Sequence, residues 1–464
     1  MLLSVRKRIA AIVSRHRVLV GGITVLAFTQ FFASVAGLVR DRLLATTFPH
    51  LGVVDAYIAA FRPSDLLFQT CVASAMGTVL VPVLARYRAH HDGKELQKVL
   101  GGTIGVTALV FGAISIILAI AFPWLTPLFH ISFTGDTLAL YITFGRLALL
   151  SNFLFIFGSA YGQYLITVER YWIYGITPIL YTLGTILGTV FLTPVVGPLG
   201  PMVGTVLGAV IYVAFRMWAV HANGCRLTFS LWHPEVPAMV KLMLPRVLAL
   251  GAFQLQLLYL TGFASGLAPG STTIDNFARN FQSVLIGVVG VAVAQAIYSR
   301  MSHSAATGEM KSFWKFYRTG LLMGTGLTIV SAIVLVLVAP LAAHIVGLQS
   351  HLHVFSVCLA IYAISIPFES ATHIQYRAFY ALRDTMNPAI IGVIGGVMAI
   401  ATAFWLLPTY GLYALAIGYT VGEVVQALGL GIVLPFRERS VSAAFLRKQK
   451  EGATPDVVEG SYNA

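Results

Sequence analysis

The sequence has little charge for its length. Only 10% of its 464 residues are Asp, Glu, Lys or Arg, whereas 58% are hydrophobic. A soluble domain carries about 25% charge. Apolar runs of the roughly 20 residues that a helix needs to cross a bilayer recur along the chain. The strands of a membrane barrel would instead be short and alternating. The composition therefore predicts a multi-pass helical membrane protein.

Motifs of chemical reactivity are also missing. Cys71, Cys225 and Cys358 are isolated, so neither a disulfide framework nor a zinc site is indicated. The signatures of serine hydrolases, P-loop ATPases and zinc proteases do not occur. We therefore expect no enzyme activity, no metal and no cofactor. The net charge of +13 lies mainly in short loops between apolar runs, so nucleic acid is not an expected partner.

About twelve membrane spans are predicted, six in each half of an all-α chain. They lie near residues 18–42, 53–84, 99–128, 138–166, 172–193, 198–220, 237–264, 273–299, 316–347, 354–381, 388–408 and 411–436. The corresponding divisions are a basic arm (1–17), a first lobe (18–221), a linker (222–235), a second lobe (236–436) and a polar tail (437–464).

Lys and Arg are absent from alternate loops. Twenty-four of the 30 Lys and Arg residues, Arg216 among them, are assigned to the arm, the tail and the loops of one side. The loops on the other side, such as 129–137, 194–197, 265–272 and 348–353, contain none. Cytoplasmic loops are rich in Lys and Arg. The pattern predicts an even number of spans with both termini in the cytoplasm.

Three glycines recur at a constant offset of 214 residues. They are Gly197, Gly204 and Gly208 in the first half and Gly411, Gly418 and Gly422 in the second. Because each half has an even number of spans, both halves enter the membrane from the same side. The repeat is therefore expected to be parallel, as in transporters with a substrate site between two similar lobes.

The other six cations are arginines within or beside spans. They are Arg40, Arg42, Arg62, Arg146, Arg246 and Arg279. An arginine facing lipid at the bilayer centre costs about 2.5–3.5 kcal/mol or more, so these residues are expected to face a wet cavity or to pair with carboxylates. Candidate partners are Asp41, Asp55, Asp65 and Asp275.

Two interpretations of these arginines remain open. They could lock helices together through ion pairs, with Arg42 and Arg146 extending to the membrane interface. Alternatively, Arg40, Arg42, Arg62, Arg246 and Arg279 could bind an anionic head group, because the guanidinium fork bonds two phosphate oxygens at once.

A carboxylate and an imidazole share one face of the tenth span. Glu369, His373 and Arg377 follow one another at a spacing of four residues, shortly after Pro367. The pair could relay a proton or bind a coupling cation. A hydrogen-bonded structural pair is the favoured interpretation. Glu423 in the last span is a similar candidate on its own.

Several stretches resemble a known family. They are 37–45 (GLVRDRLLA), Asp55-Ala56, 60–62 (AFR), 81–87 (VPVLARY), Ala278-Arg279 with Gly287 and Gly290, and 377–385 (RAFYALRDT) with Pro388. In this order they are similar to the MurJ/MviN lipid II flippases of the MOP superfamily. The chain departs from that family at Ser34, where an arginine is usual, at 63–69 (PSDLLFQ), and in having twelve rather than fourteen expected spans.

The resemblance implies a flippase of the bacterial cytoplasmic membrane that moves a lipid-linked anionic substrate by alternating access. Arg40, Arg62 and Arg279 would then hold the diphosphate of lipid II, and Asp41 and Asp55 would pair with these arginines in the empty cavity. The alternatives are a flippase for another oligosaccharide-diphosphate lipid, a cation-coupled MATE-like multidrug exporter, or a membrane scaffold that transports nothing.

Overall fold

The computed structural model describes residues 17–73, 76, 80–90, 92–225, 230 and 233–450. All regular structure in these ranges is helical. In chain order the α-helices of seven or more residues are α1 (Arg17–Thr47), α2 (Gly52–Phe68), α3 (Val81–Ala89), α4 (Gly93–Leu125), α5 (Gly135–Thr167), α6 (Tyr171–Leu187), α7 (Gly200–Ala222), α8 (Glu235–Ser265), α9 (Ser271–Leu285), α10 (Val291–Ala306), α11 (Met310–Leu337), α12 (Ala339–Ile345), α13 (Leu352–Ala381), α14 (Met386–Tyr410) and α15 (Tyr413–Lys450). Except for Arg17, the predicted basic arm lies outside these ranges, as does the tail beyond Lys450.

Every predicted span coincides with one or more of these helices, because a segment crossing lipid must satisfy its own backbone hydrogen bonds. Among the described residues, eight helical stretches are long and apolar enough to cross a membrane. One of them, Tyr171–Ala222, is 52 residues long and contains both the fifth and the sixth predicted span. The all-α membrane fold is thus confirmed, while the count of twelve spans stays a prediction.

The chain packs as two compact units. The first contains the chain up to Phe277 together with Pro340–Phe355, and the second contains Ala278–Ala339 and the chain from Ser356 onward. These units are defined by packing and not by the sequence repeat. The lobe boundaries predicted from the repeat therefore stay a prediction.

The glycine repeat corresponds to a repeated backbone conformation. Gly197 has φ 62° and ψ −142°. Gly411, its counterpart 214 residues later, has φ 51° and ψ −127°. Glycine enters this part of conformational space without the steric penalty of a side chain. Each glycine ends one helical segment just before the next, so equivalent positions of the two halves form the same reversal.

The other repeat glycines bring helices close together. A Cβ atom at Gly204 in α7 would collide with the backbone of Gly184 and Gly188 on the side of α6. In the second half, a Cβ atom at Gly418 in α15 would lie 2.6 Å from the carbonyl oxygen of Ala399 in α14. Small residues allow this close approach between membrane helices.

We expect Gly204→Ala to lower the free energy of unfolding by about 1–3 kcal/mol, because the added methyl group overpacks a tight backbone contact. Thermal unfolding of the purified protein in detergent measures the change. Gly326→Ala in α11 is the matched control, since a Cβ atom there meets nothing within 4 Å. Equal effects of the two substitutions would contradict the close-packing explanation.

Candidate functional site

Arg40 and Asp41 form an ion pair near the end of α1. The Nε and Nη2 atoms of Arg40 donate to Oδ1 of Asp41 at 2.9 and 2.7 Å. The Asp41 side chain is 4% exposed and that of Arg40 is 28% exposed. The predicted pairing of these two residues is confirmed. The carboxylate is therefore buried, whereas the arginine side chain remains partly accessible.

This ion pair lines a cavity of about 290 Å³ in the first unit. The walls come from α1, α2, α5, α6 and the start of α9. The lining residues are Arg40, Asp41, Leu44, Tyr57, Ile58, Phe61, Arg62, Asp65, Asn152, Phe155, Tyr181, Asn276 and Phe277. Four charged residues predicted to contribute to the site thus meet in one cavity: Arg40, Asp41, Arg62 and Asp65.

Arg62 and Asp65 reach the cavity from one face of α2, where residues three apart are neighbours. Arg62 Nε donates to the hydroxyl of Thr261 in α8 at 3.1 Å. Asp65 Oδ1 accepts from the Asn152 amide of α5 at 3.1 Å, and the same amide donates to Ser64 Oγ at 2.6 Å. Both charged residues of α2 are therefore positioned by polar side chains of neighbouring helices.

Amide and phenol groups complete the polar wall, and sequence reasoning missed them. Asn152 and Asn276 line the cavity together with Tyr57 and Tyr181. The Tyr57 hydroxyl lies 2.9 Å from that of Thr205 in α7. Asn152 could have been identified, because an amide in the middle of a long apolar span is costly unless it has a role.

The charges that line the cavity are balanced. Its two guanidinium groups and two carboxylates balance in formal charge. A phosphate group offers the same bidentate oxygen geometry as a carboxylate. An anionic ligand could therefore take the place of Asp41 on Arg40 and also reach Arg62.

Asp55 has a different role from the one predicted. This buried carboxylate accepts from the backbone N–H groups of Gly270 at 2.6 Å and Thr273 at 2.8 Å, and from the Thr273 hydroxyl at 2.6 Å. These donors lie at the start of α9, where the first N–H groups have no partner within the helix. Asp55 therefore caps α9, and the predicted pairing with an arginine is wrong.

The other predicted residues lie elsewhere. Arg42 Nη1 donates to the backbone carbonyl oxygens of His344 at 2.9 Å and Ile345 at 3.2 Å, at the end of α12. It thus stabilises a helix C-terminus. Asp275 is buried in α9. Arg246 belongs to α8, but its side chain is outside the described residues. Arg279 belongs to the second unit.

Arg216 was assigned to a cytoplasmic loop by the charge pattern, and this assignment is wrong. It lies in α7 and is 2% exposed. Its guanidinium donates to Thr177 Oγ1 at 2.8 Å, to the Gly158 carbonyl at 2.7 Å and to the Tyr174 carbonyl at 3.0 Å. It also lies over the rings of Tyr174 and Tyr212. Aromatic faces and carbonyl dipoles stabilise this buried cation.

We expect Arg216→Met to lower the free energy of unfolding by about 2–3 kcal/mol, since polar partners of a charged donor are left buried. Chemical unfolding in detergent measures the change. Arg170→Met, at an exposed arginine that donates to Asn223 Oδ1, is the control. Equal losses would contradict the assigned role.

In the second unit, Glu369 of α13 is hydrogen-bonded. Its Oε2 atom accepts from the Gln282 amide of α9 and from the Tyr419 hydroxyl of α15, the latter at 3.1 Å. His373 Nε2 lies 4.0 Å from Glu369 Oε1. The carboxylate thus has structural partners on two further helices. Among the described residues, no group of three or more His, Cys, Asp or Glu side chains could hold a metal ion.

Comparison with known proteins places these features in a family. The family model described as "Lipid II flippase MurJ" matches residues 44–449. A probable lipid II flippase MurJ from Bdellovibrio bacteriovorus is 24% identical over 413 residues, which cover 85% of this chain and 78% of that protein.

Two solved structures show the same fold. A lipid II flippase MurJ in an inward closed conformation has a TM-score of 0.76 at 20% identity, covering 94% of each chain. An inward-facing multidrug resistance MATE family transporter of the MOP superfamily has a TM-score of 0.78 at 16% identity, covering 91% of this chain and 99% of that one. These likenesses confirm the predicted fold class and extend over almost the whole chain.

Proposed function

Because this chain belongs to the lipid II flippase MurJ family, we propose that it translocates lipid II, an undecaprenyl-diphosphate-linked peptidoglycan precursor, across the bacterial cytoplasmic membrane. Translocation breaks no covalent bond, so no catalytic residue is assigned. We place both termini in the cytoplasm, in keeping with the Lys and Arg pattern of the loops.

The cavity that contains Arg40 and Arg62 is the observation that carries the proposal. Two arginines share a small polar cavity in a chain whose charged residues are otherwise scarce. In the structure, Asp41 accepts hydrogen bonds from two donors of Arg40. The diphosphate of lipid II would displace this carboxylate and bond to both guanidinium groups, because charge-assisted bidentate bonds are among the strongest polar contacts.

A cavity of about 290 Å³ holds a small polar group and not a whole glycolipid. Ligand pockets for drug-sized molecules span about 300–1,000 Å³. We therefore assign the diphosphate to the cavity, while the polyprenyl tail stays in the lipid. The role of Arg279 in substrate binding, predicted from the resemblance, stays a prediction, because that residue belongs to the second unit.

Membrane potential would help the outward step. An anion that moves outward in an inside-negative field gains about 2.3 kcal/mol per charge per 100 mV. Release of the diphosphate at the outer face would let Asp41 return to Arg40. The Arg40–Asp41 ion pair would then neutralise the empty cavity while the protein returns to its starting conformation. An unpaired buried charge would make this return costly.

Depletion of the protein tests the proposed function. In membrane vesicles from depleted cells, we expect lipid II to accumulate on the cytoplasmic leaflet, as measured by its accessibility to a membrane-impermeant probe. An unchanged lipid II distribution would refute the proposal. Accumulation of a different diphosphate-linked oligosaccharide would instead identify a flippase for another polymer.

A further inference from the structure

A polar seam runs between α13 and α15 of the second unit. Glu369 bonds to Tyr419 at 3.1 Å, and Tyr376 bonds to Gln426 at 2.8 Å, each pair being 50 residues apart in sequence. Thr420 Oγ1 of α15 also donates to the Ile361 carbonyl of α13 at 3.2 Å. Glu423 lies one turn after Tyr419 on the same face of α15, between two residues that contact α13, Thr420 and Gln426.

Two acceptors of the seam have no donor. Glu369 accepts hydrogen bonds from both the Gln282 amide and the Tyr419 hydroxyl. Glu423 is 4% exposed, and no hydrogen bond or ion pair to its carboxylate occurs within the described part of the chain. Oε1 of the fully buried Gln282 also lacks a partner there. Buried polar groups are nearly always hydrogen-bonded, so the Glu423 carboxylate and Gln282 Oε1 each lack a donor.

The charges show a matching imbalance. Arg279 of α9 attracts the Glu369 carboxylate, whereas Glu423 repels it. On α13, the Arg377 guanidinium donates to the backbone of His373, whose imidazole is 4.0 Å from Glu369. α14, which packs along α15, contains no Asp, Glu, Lys, Arg or His. Among the described residues, no cation is found to attract Glu423 in the same way, and a second ionised carboxylate buried without a partner would cost several kcal/mol.

We propose that Glu369 and Glu423 form a proton-binding site in which the two carboxylates share one proton. The bound proton removes the unpaired negative charge and supplies the missing O–H donor. Two carboxylates held close together titrate as a pair and not as independent acids. Resting on the proposed function, we further infer that uptake and release of this proton at the two membrane faces contribute to driving lipid II translocation.

Infrared difference spectroscopy of the purified protein tests the shared proton without any transport assay. At neutral pH the wild type should show the carbonyl stretch of a buried carboxylic acid, which shifts on exchange into D₂O. Glu423→Gln should abolish this band, and Glu369→Gln should abolish it as well, because the remaining carboxylate can then pair ionised with Arg279. Glu309→Gln, an exposed glutamate of the same unit, should keep the band.

Two results would overturn the proposal. One is a band that survives in either of the two seam variants, because it would then belong to another acid. The other is a wild type that lacks the band and is stabilised against heat by sodium chloride but not by potassium chloride, which would identify a metal cation in the seam. The near-isosteric Glu→Gln changes preserve the packing volume, and the melting temperature of each variant checks that it is folded.

Coupling is tested separately in proteoliposomes that contain lipid II. An imposed pH gradient should change the rate of translocation by the wild type and by Glu309→Gln but not by Glu423→Gln. A Glu423→Gln variant that responds like the wild type would refute the coupling. If the wild type moved no lipid II at all, the proposed function would fail, whereas the infrared result on the proton site would stand.

Discussion

Replacing Arg62 by Gln is expected to lower the rate of lipid II translocation in proteoliposomes by about ten- to a hundredfold. Its guanidinium lines the cavity together with Arg40. A hydrogen bond to a charged partner is worth about 1.5–3 kcal/mol, and 1.4 kcal/mol corresponds to a factor of ten in binding. The translocation rate of Arg62→Lys should lie between those of the wild type and Arg62→Gln, because lysine keeps the charge but lacks the bidentate guanidinium fork.

Arg146→Gln is the matched control, because Arg146 is exposed and donates only to the Ala119 carbonyl at 3.0 Å among the contacts described. Arg40→Gln alone would leave Asp41 buried without its cation, which is destabilising in itself. The double variant Arg40→Gln/Asp41→Asn avoids that problem and should still lose translocation. If it and Arg62→Gln both translocated lipid II at the wild-type rate, the cationic cavity would have no role in binding.

The same variants separate the flippase from the exporter interpretation. An exporter of cationic drugs needs acidic groups to dominate its cavity, whereas Arg40 and Arg62 match Asp41 and Asp65 in number. Loss of cationic-dye export in Glu369→Gln, with full dye export in Arg62→Gln, would favour the exporter. The structural match to a MATE transporter bears on the fold alone.

Helix positions and the repeat could be predicted because they depend on local rules. A chain in lipid must satisfy its backbone within each helix, so hydropathy locates the spans. Glycine at Gly197 and Gly411 marks positions where a side chain would be strained, and both adopt positive φ. The other glycines of the repeat instead allow a close approach of helices, where α6 meets α7 and where α14 meets α15.

Choices of partner could not be predicted, because they depend on contacts between distant parts of the chain. Asp41 binds the adjacent Arg40, and this local pair was foreseen. Asp55 instead binds backbone groups 215 and 218 residues away. Arg216 resembles a loop cation in sequence, yet it lies buried among carbonyl groups and tyrosine rings. The spacing of residues in the sequence does not distinguish an arginine exposed in a loop from a buried arginine that donates hydrogen bonds.

Replacing Asp55 by Ala is expected to lower the free energy of unfolding by about 3 kcal/mol or more. Loss of a helix N-cap costs about 0.5–2 kcal/mol, and each buried N–H group left without an acceptor adds about 1–3 kcal/mol. The carboxylate holds two N–H groups and one hydroxyl at the start of α9. Thermal unfolding in detergent measures the loss.

Asp136→Ala provides the control, because Asp136 also lies in the first turn of a helix, α5, but is exposed. Asp136→Ala should lower the free energy of unfolding by no more than about 0.5 kcal/mol. Asp55→Asn should lie between the two, since an amide keeps one acceptor oxygen. Asp55 lies near the start of α2 and is hydrogen-bonded to the start of α9. Both helices line the cavity, α2 with Arg62 and α9 with Asn276 and Phe277. Asp55→Ala should therefore also reduce lipid II translocation, and a variant that loses neither stability nor translocation would show that the cap does not position this wall.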